Sequence, residues 1–226
     1  EYGDTVGDEH VVFRRDPAGH ITYYNKTTGV KISTLGENGT ESPTASAPEL
    51  VDVKITNYCE RSCDFCYQDS TPAGQHADMH KVQDLSCNLG AMGCMEVALG
   101  GGEPTQHPYF VEILEGFAWY GIVPNFSTRS VEWLLDDHIC RAVYEHCSAV
   151  AFSTNGHDAV EFTELMRCMR RRFSRNHSAH GGPEAVLHYI LGLEPLARFA
   201  KFLEQSDAPD ARGGIWGSKR WGRASK

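Results

Sequence analysis

Residues 50–67 read LVDVKITNYCERSCDFCY, and this stretch bears on the fold and on the chemistry at once. Leu50–Thr56 is a β-prone run that reads as a strand, and the chain then enters a loop carrying Cys59, Cys63 and Cys66 at C-x3-C-x2-C spacing. Downstream, the same strand–loop–helix pattern repeats. A helix is expected over about 77–92, then strands at Met95–Leu99, Val123–Ser127, Ala149–Ser153 and Val186–Leu191. Helical periodicity falls between them, at Pro108–Tyr120, Val131–His146, 158–173 and Pro195–Gln205, and a last short strand is expected near Gly214–Ser218. Such alternation implies parallel strands joined by right-handed crossovers. Six strands fall short of a complete (β/α)8 barrel, which takes about 250 residues. The expected fold is therefore α/β, a partial (β/α)6 barrel over 50–226. A doubly wound open sheet is the alternative that periodicity leaves open.

Thiolates are the ligands that iron–sulfur clusters use, and close spacing lets one loop wrap a compact cluster. Three thiolates on a four-iron cube leave one iron free for a substrate or cofactor. The competing reading is structural zinc, which needs four ligands; His76, His80, Cys87 or Cys94 could supply the fourth, but no second C-x2-C pair exists. After the second strand comes Gly100-Gly101-Gly102-Glu103-Pro104. Glycines there permit close approach to the backbone, and Glu103 can accept a hydrogen bond from an ammonium group. Its bland reading is a tight turn with a helix-capping acid.

The cysteine loop and the glycine turn, in this order and each after a strand, resemble the radical S-adenosylmethionine (SAM) superfamily. Phe65 stands where that family carries an aromatic residue before its last cysteine. The resemblance implies a [4Fe–4S] cluster on Cys59, Cys63 and Cys66, with SAM chelating the open iron. Reductive cleavage of SAM to a 5′-deoxyadenosyl radical, and hydrogen abstraction from a substrate, are implied with it. It further implies that Phe65, Gly101, Gly102, Glu103 and Pro104 contact SAM, the GGE segment through its methionine amine. Ser127, Arg129, Ser153 and Asn155, which follow the third and fourth strands, stand at positions resembling ribose and carboxylate contacts; a helix N-cap is the plainer reading of each Ser or Asn. Ile190 and Gly192 resemble part of an adenine-contacting segment, although Leu187–His188 replaces its first glycine and Glu194 falls one residue early. An external one-electron donor such as flavodoxin or ferredoxin is implied. The substrate, peptide or small molecule, is not legible, and the alternative function is a non-catalytic zinc- or iron–sulfur-binding module.

The rest of the composition sets boundaries. A net charge of −9 disfavours nucleic-acid binding. No apolar run approaches membrane-spanning length, and a cytoplasmic location is expected. Cys87, Cys94, Cys140, Cys147 and Cys168 are scattered and read as inert. His188 reads as a packed histidine, and Tyr58, Tyr67 and Tyr189 as aromatic packing rather than radical relays. Residues 1–39 read as an N-terminal β-hairpin segment that either recognises a partner or covers the barrel, and 40–49, rich in Ser, Thr and Pro, as a linker. Gly213–Arg220 reads as a sixth strand with cations Lys219 and Arg220 at its tip, bordering a substrate entrance unless the chain is truncated there.

Overall fold

The computed structural model describes residues 5–7, 11–16, 19–26, 28–35, 45–156, 160, 162–164, 167, 182–205 and 212–216. Two sheets organise them. Strands β1 (Thr5–Gly7), β2 (Val11–Arg15), β3 (Ile21–Asn25) and β4 (Lys31–Ser33) form an antiparallel sheet in sequence order. Six further strands follow: β5 (Leu50–Thr56), β6 (Glu96–Gly101), β7 (Val123–Thr128), β8 (Ala149–Ser153), β9 (Glu184–Ile190) and β10 (Arg212–Trp216). They form one sheet in the order β10-β9-β8-β7-β6-β5, every neighbouring pair parallel. A doubly wound sheet reverses its strand order at a switch point. This order never reverses, so the chain winds in one direction, as a barrel does.

Helices α1 (Met79–Met92), α2 (Phe110–Trp119), α3 (Asp137–His146) and α4 (Leu196–Gln205) lie between strands. Asp78 caps α1 by accepting from the Lys81 amide, and Gly93 ends it in the left-handed conformation with φ 80°. The continuous helix expected over Val131–His146 is broken. A short 3-10 turn covers Glu132–Leu135, and α3 starts afresh because the Asp136 carboxylate accepts from the amides of His138 and Ile139. Most of the helix expected over 158–173 lies outside the described residues, as do Lys219 and Arg220. No helix among the described residues is long and apolar enough to cross a membrane.

The sheet buries one face. Val53, Ile55, Val97, Leu99, Phe126, Val150, Phe152 and Leu187 pack into a single core with Val82, Leu89, Ile113, Leu114, Phe117 and Val143 of the helices. The alternate residues of the same strands form the inner face of the barrel: Lys54, Gly100, Ser127, Ala151, Ser153 and His188, all half-buried or exposed. Complete barrels fill that space with bulky branched side chains. Small and polar residues line this inner chamber instead.

The N-terminal sheet closes the barrel at the N-terminal ends of its strands. Tyr24 is buried against Met95 and Val123, which stand at the starts of β6 and β7. The Ser148 hydroxyl, just before β8, donates to the Lys26 carbonyl. Fully buried Arg14 donates to the Gly93 carbonyl at 3.3 Å, with Asp16 at 3.4 Å and Glu49 at 4.0 Å as its anions. Removing one member of a buried ion cluster strands the others. Arg14→Ala should therefore lower unfolding free energy by about 3–5 kcal/mol in urea titration. Iron bound per folded chain should not change, because the cysteine loop lies at the opposite end.

Candidate active site

The cysteine loop departs from the C-terminal end of β5 and returns onto it. The Asn57 amide donates to the Gln75 carbonyl (2.8 Å), Cys59 to Thr71 (3.1 Å), and Ala77 to Ile55 (2.8 Å), so the base of the loop is laced shut. His76 holds the returning arm through the Thr56 hydroxyl at 2.9 Å, and His107 packs edge-on against it. The His107 Nδ1 accepts from the Tyr109 amide, so Nε2 carries the proton and donates to the Ala77 carbonyl at 3.2 Å. Burial pushes the His107 pKa below its ordinary value and keeps the ring neutral in that role. Inside the loop, Ser62 takes a left-handed backbone (φ 41°). All three cysteine thiols are half-buried. Burial pushes the Cys59 thiol up, while the Arg61 and Ser62 amides that donate to its sulfur oppose the shift. Among the described residues no His, Cys, Asp and Glu converge around a single ion. Thiolates on three irons of a cube need no such convergence, and the donor set, all sulfur on one laced loop, fits a cluster.

The glycine turn is pressed onto this loop. A Cβ on Gly101 (φ 129°) would lie 2.0 Å from the Thr56 carbonyl oxygen, and one on Gly102 1.9 Å from the Tyr58 oxygen. Through that contact the Gly102 and Glu103 amides donate to the Thr56 and Tyr58 carbonyls at 2.7 and 2.9 Å. The close approach that glycine permits is thus made by the cysteine loop's own backbone. Gly102→Ala should cost about 1–3 kcal/mol from overpacking and lower the iron taken up per chain on reconstitution. Gly100→Ala, where the new methyl meets nothing within 4 Å, should leave the melting temperature near wild type.

The Glu103 carboxylate is held by a network of donors within the protein. It is 3% exposed. One oxygen accepts from the Thr105 hydroxyl and amide (2.7 and 3.3 Å) and from the Thr128 hydroxyl (2.6 Å). The other accepts from the Arg129 and Ser130 amides at 2.9 and 3.1 Å. A carboxylate offers about four lone-pair sites, and five donors converge on this one, two of them shared with a second acceptor. Glu103 ties the end of β6 to the end of β7. Pro104 is buried in the short 3-10 turn that follows it.

The remaining candidates form a second network. The Arg129 guanidinium lies 5.3 Å over the Phe65 ring and donates to the Asn155 carbonyl at 2.7 Å. Buried Asn155 in turn clamps Ile190, accepting from its amide at 2.8 Å and donating to its carbonyl at 3.3 Å. Arg129 and Asn155 therefore connect the cysteine loop to the ends of β7, β8 and β9. Ser127 is exposed on the inner face, and Ser153 is half-buried there opposite His188. Gly192 makes an exposed turn with φ 89°. Tyr189 is committed to packing, stacked on Phe199 at 4.3 Å with its hydroxyl donating to the Glu194 carbonyl.

Sequence reasoning passed over Thr105 and Ser130, which help to hold Glu103, and Lys54, whose ammonium donates to the Gln68 side chain at 2.8 Å. Lys54 did leave a signal. Parallel strands buried on both faces read as apolar runs, and a lysine inside Leu50–Thr56 breaks that rule.

The chain belongs to the Radical SAM superfamily, whose sequence profile matches residues 53–179, more than half of its length. It is 28% identical over 130 residues to GTP 3′,8-cyclase of Chlorobaculum tepidum, covering 56% of this chain and 38% of that protein. Mycofactocin maturase MftC of Mycobacterium ulcerans is 25% identical over 167 residues, 71% of this chain and 45% of that one. The chain thus spans less than half the length of either relative. Among solved structures, Streptococcus suis SuiB bound to S-adenosylmethionine superposes with a TM-score of 0.69 at 13% identity, over 94% of this chain and 63% of SuiB. SuiB bound to its precursor peptide SuiA gives the same score, over 96% and 64%. The fold is that of radical SAM enzymes. Membership in the family implies an iron–sulfur cluster and SAM.

Proposed function

We propose that the chain carries a [4Fe–4S] cluster on Cys59, Cys63 and Cys66 and binds SAM at the mouth of the inner chamber. With both groups bound, one-electron reduction of SAM supplies a 5′-deoxyadenosyl radical for hydrogen abstraction. The observation that carries this reading is the laced cysteine loop, three half-buried thiols with the glycine turn locked to its backbone. The protein's own share is positional. Gly101 and Gly102 offer backbone at the turn, Glu103 fixes that turn relative to Arg129 and Ser130, and Ser127 and Ser153 present hydroxyls on the chamber wall. Asn155 and Arg129 support Phe65 and Ile190 along the rim, with Gly192 in the turn beyond. The electron comes from an external donor, a flavodoxin or ferredoxin.

For substrate class we favour a peptide. Support comes from SuiB, whose structure contains a precursor peptide. GTP 3′,8-cyclase makes a small molecule the competing class. Anaerobic reconstitution tests the cofactor assignment directly. Close to four irons per chain, an EPR signal on reduction that SAM alters, and 5′-deoxyadenosine released with dithionite are the expected results. Stoichiometric zinc in place of iron, or an EPR signal indifferent to SAM, would overturn it.

A further inference from the structure

We propose that Lys54 binds the methionine carboxylate of SAM, a reading that rests on the cofactor assignment above. Lys54 sits on the inner face of β5, and its register partner on β6 is Gly100. Its Cγ lies 3.1 Å from where a Gly101 Cβ would be, so the side chain runs along the glycine turn. Its Nζ ends at the Gln68 amide oxygen, two residues beyond Cys66. The ammonium is thereby suspended between the turn and the cysteine loop, the two segments a bound SAM must touch.

Chemistry selects the ligand group. The side chain is exposed, so its charge is hydrated and available to an incoming anion. Its hydrogen-bond partner, Gln68, is neutral, and no carboxylate among the described residues pairs with it. An ammonium has three donors, so donors remain for a ligand while the Gln68 contact persists. Of the neighbouring cations, Arg61 pairs with Glu132, and Arg129 spends its Nη2 on Asn155 with its Nε and Nη1 buried, whereas the Lys54 ammonium is open to solvent. SAM carries one anionic group, a carboxylate on the same carbon as its ammonium. With the ammonium at the backbone of the glycine turn, that carboxylate falls within reach of a lysine lying alongside the turn. Space is there, since nothing approaches within 4 Å of a Cβ built on Gly100.

The test deletes each partner in turn, on anaerobically reconstituted holoenzyme. Equilibrium dialysis should give Lys54→Met an affinity for SAM about 10- to 100-fold below wild type, the range of one charge-assisted hydrogen bond. Decarboxylated SAM lacks the group in question, so its affinity should change by no more than about twofold between wild type and variant. Lys54→Arg keeps the charge and should recover most of the SAM affinity. Iron content and melting temperature serve as folding controls. SAM affinity in Lys54→Met within twofold of wild type would overturn the proposal. Equal losses for SAM and decarboxylated SAM would overturn it too, as would failure of Lys54→Arg to recover binding; a substrate-binding Lys54 gives the first of these results. If the wild-type holoenzyme itself ignores SAM, the cofactor assignment fails instead.

Discussion

Replacing any one of Cys59, Cys63 or Cys66 with Ala should reduce reconstituted iron from about four per chain to a small residue and abolish the EPR signal of the reduced protein. The three thiols share one loop whose hydrogen bonds close at its base, so each has a fixed place and no neighbouring thiol replaces it. Cys94, Cys140 and Cys147 are buried, and Cys87 is exposed on α1. Burial pushes the thiols of Cys94 and Cys147 up, which keeps them protonated and poor ligands. Their Ala variants should keep iron near the wild-type level, and a buried one should lose only the modest stability of a small cavity. Retention of full iron by Cys63→Ala, or its loss in Cys87→Ala, would require a different ligand set. Iron analysis with absorption spectra measures both.

The second large effect is expected at Glu103. Glu103→Ala withdraws the acceptor from five donors, at Thr105, Thr128, Arg129 and Ser130, of which Thr128 and Ser130 are buried. Each buried donor left unsatisfied costs about 1–3 kcal/mol. The buried Thr128 hydroxyl and Ser130 amide each keep a second partner, the Ser130 carbonyl at 3.2 Å and the Thr128 oxygen at 2.9 Å, so a loss of about 1–3 kcal/mol is expected. Glu103→Gln can keep its oxygen on the Arg129 and Ser130 amides and turn its NH2 to the Thr105 and Thr128 hydroxyls, whose oxygens accept, so it should recover part of the loss. The decisive comparison is between stability and SAM binding. A carboxylate that served only the SAM ammonium would leave the melting temperature of the SAM-free protein unchanged in both variants. Thermal unfolding without SAM distinguishes the two roles, and a wild-type melting temperature in Glu103→Ala would refute the structural role.

Much of the architecture was legible because it is local. Alternation along Leu50–Thr56 and Met95–Leu99 and the spacing of the three cysteines are properties of neighbouring residues. They placed the strands, most helix starts and the cysteine loop without tertiary information. Asp136 is the instructive exception among local signals. Its capping of α3 was present in the sequence, yet the longer apolar periodicity around it suggested one unbroken helix.

The site chemistry was legible in kind but not in assignment. Glu103 stands in a motif that points to ligand binding, and nothing nearby in sequence says that its acceptors are filled. Thr105, two residues on, supplies two of the five donors, but the other three lie 25 to 27 residues away and arrive only because β6 and β7 pair in one register. Asn155 and Ile190 meet across 35 residues for the same reason. The N-terminal sheet was equally ambiguous, with its strands readable and its docking on the strand starts decided by Arg14 and Tyr24 finding partners far along the chain. By itself the sequence determined which residues carry thiols, carboxylates and amines, and in what secondary structure. Tertiary structure alone decided which of those groups are used up on one another and which, like Lys54, are left facing the chamber, because hydrogen-bond partners are set by strand register and packing.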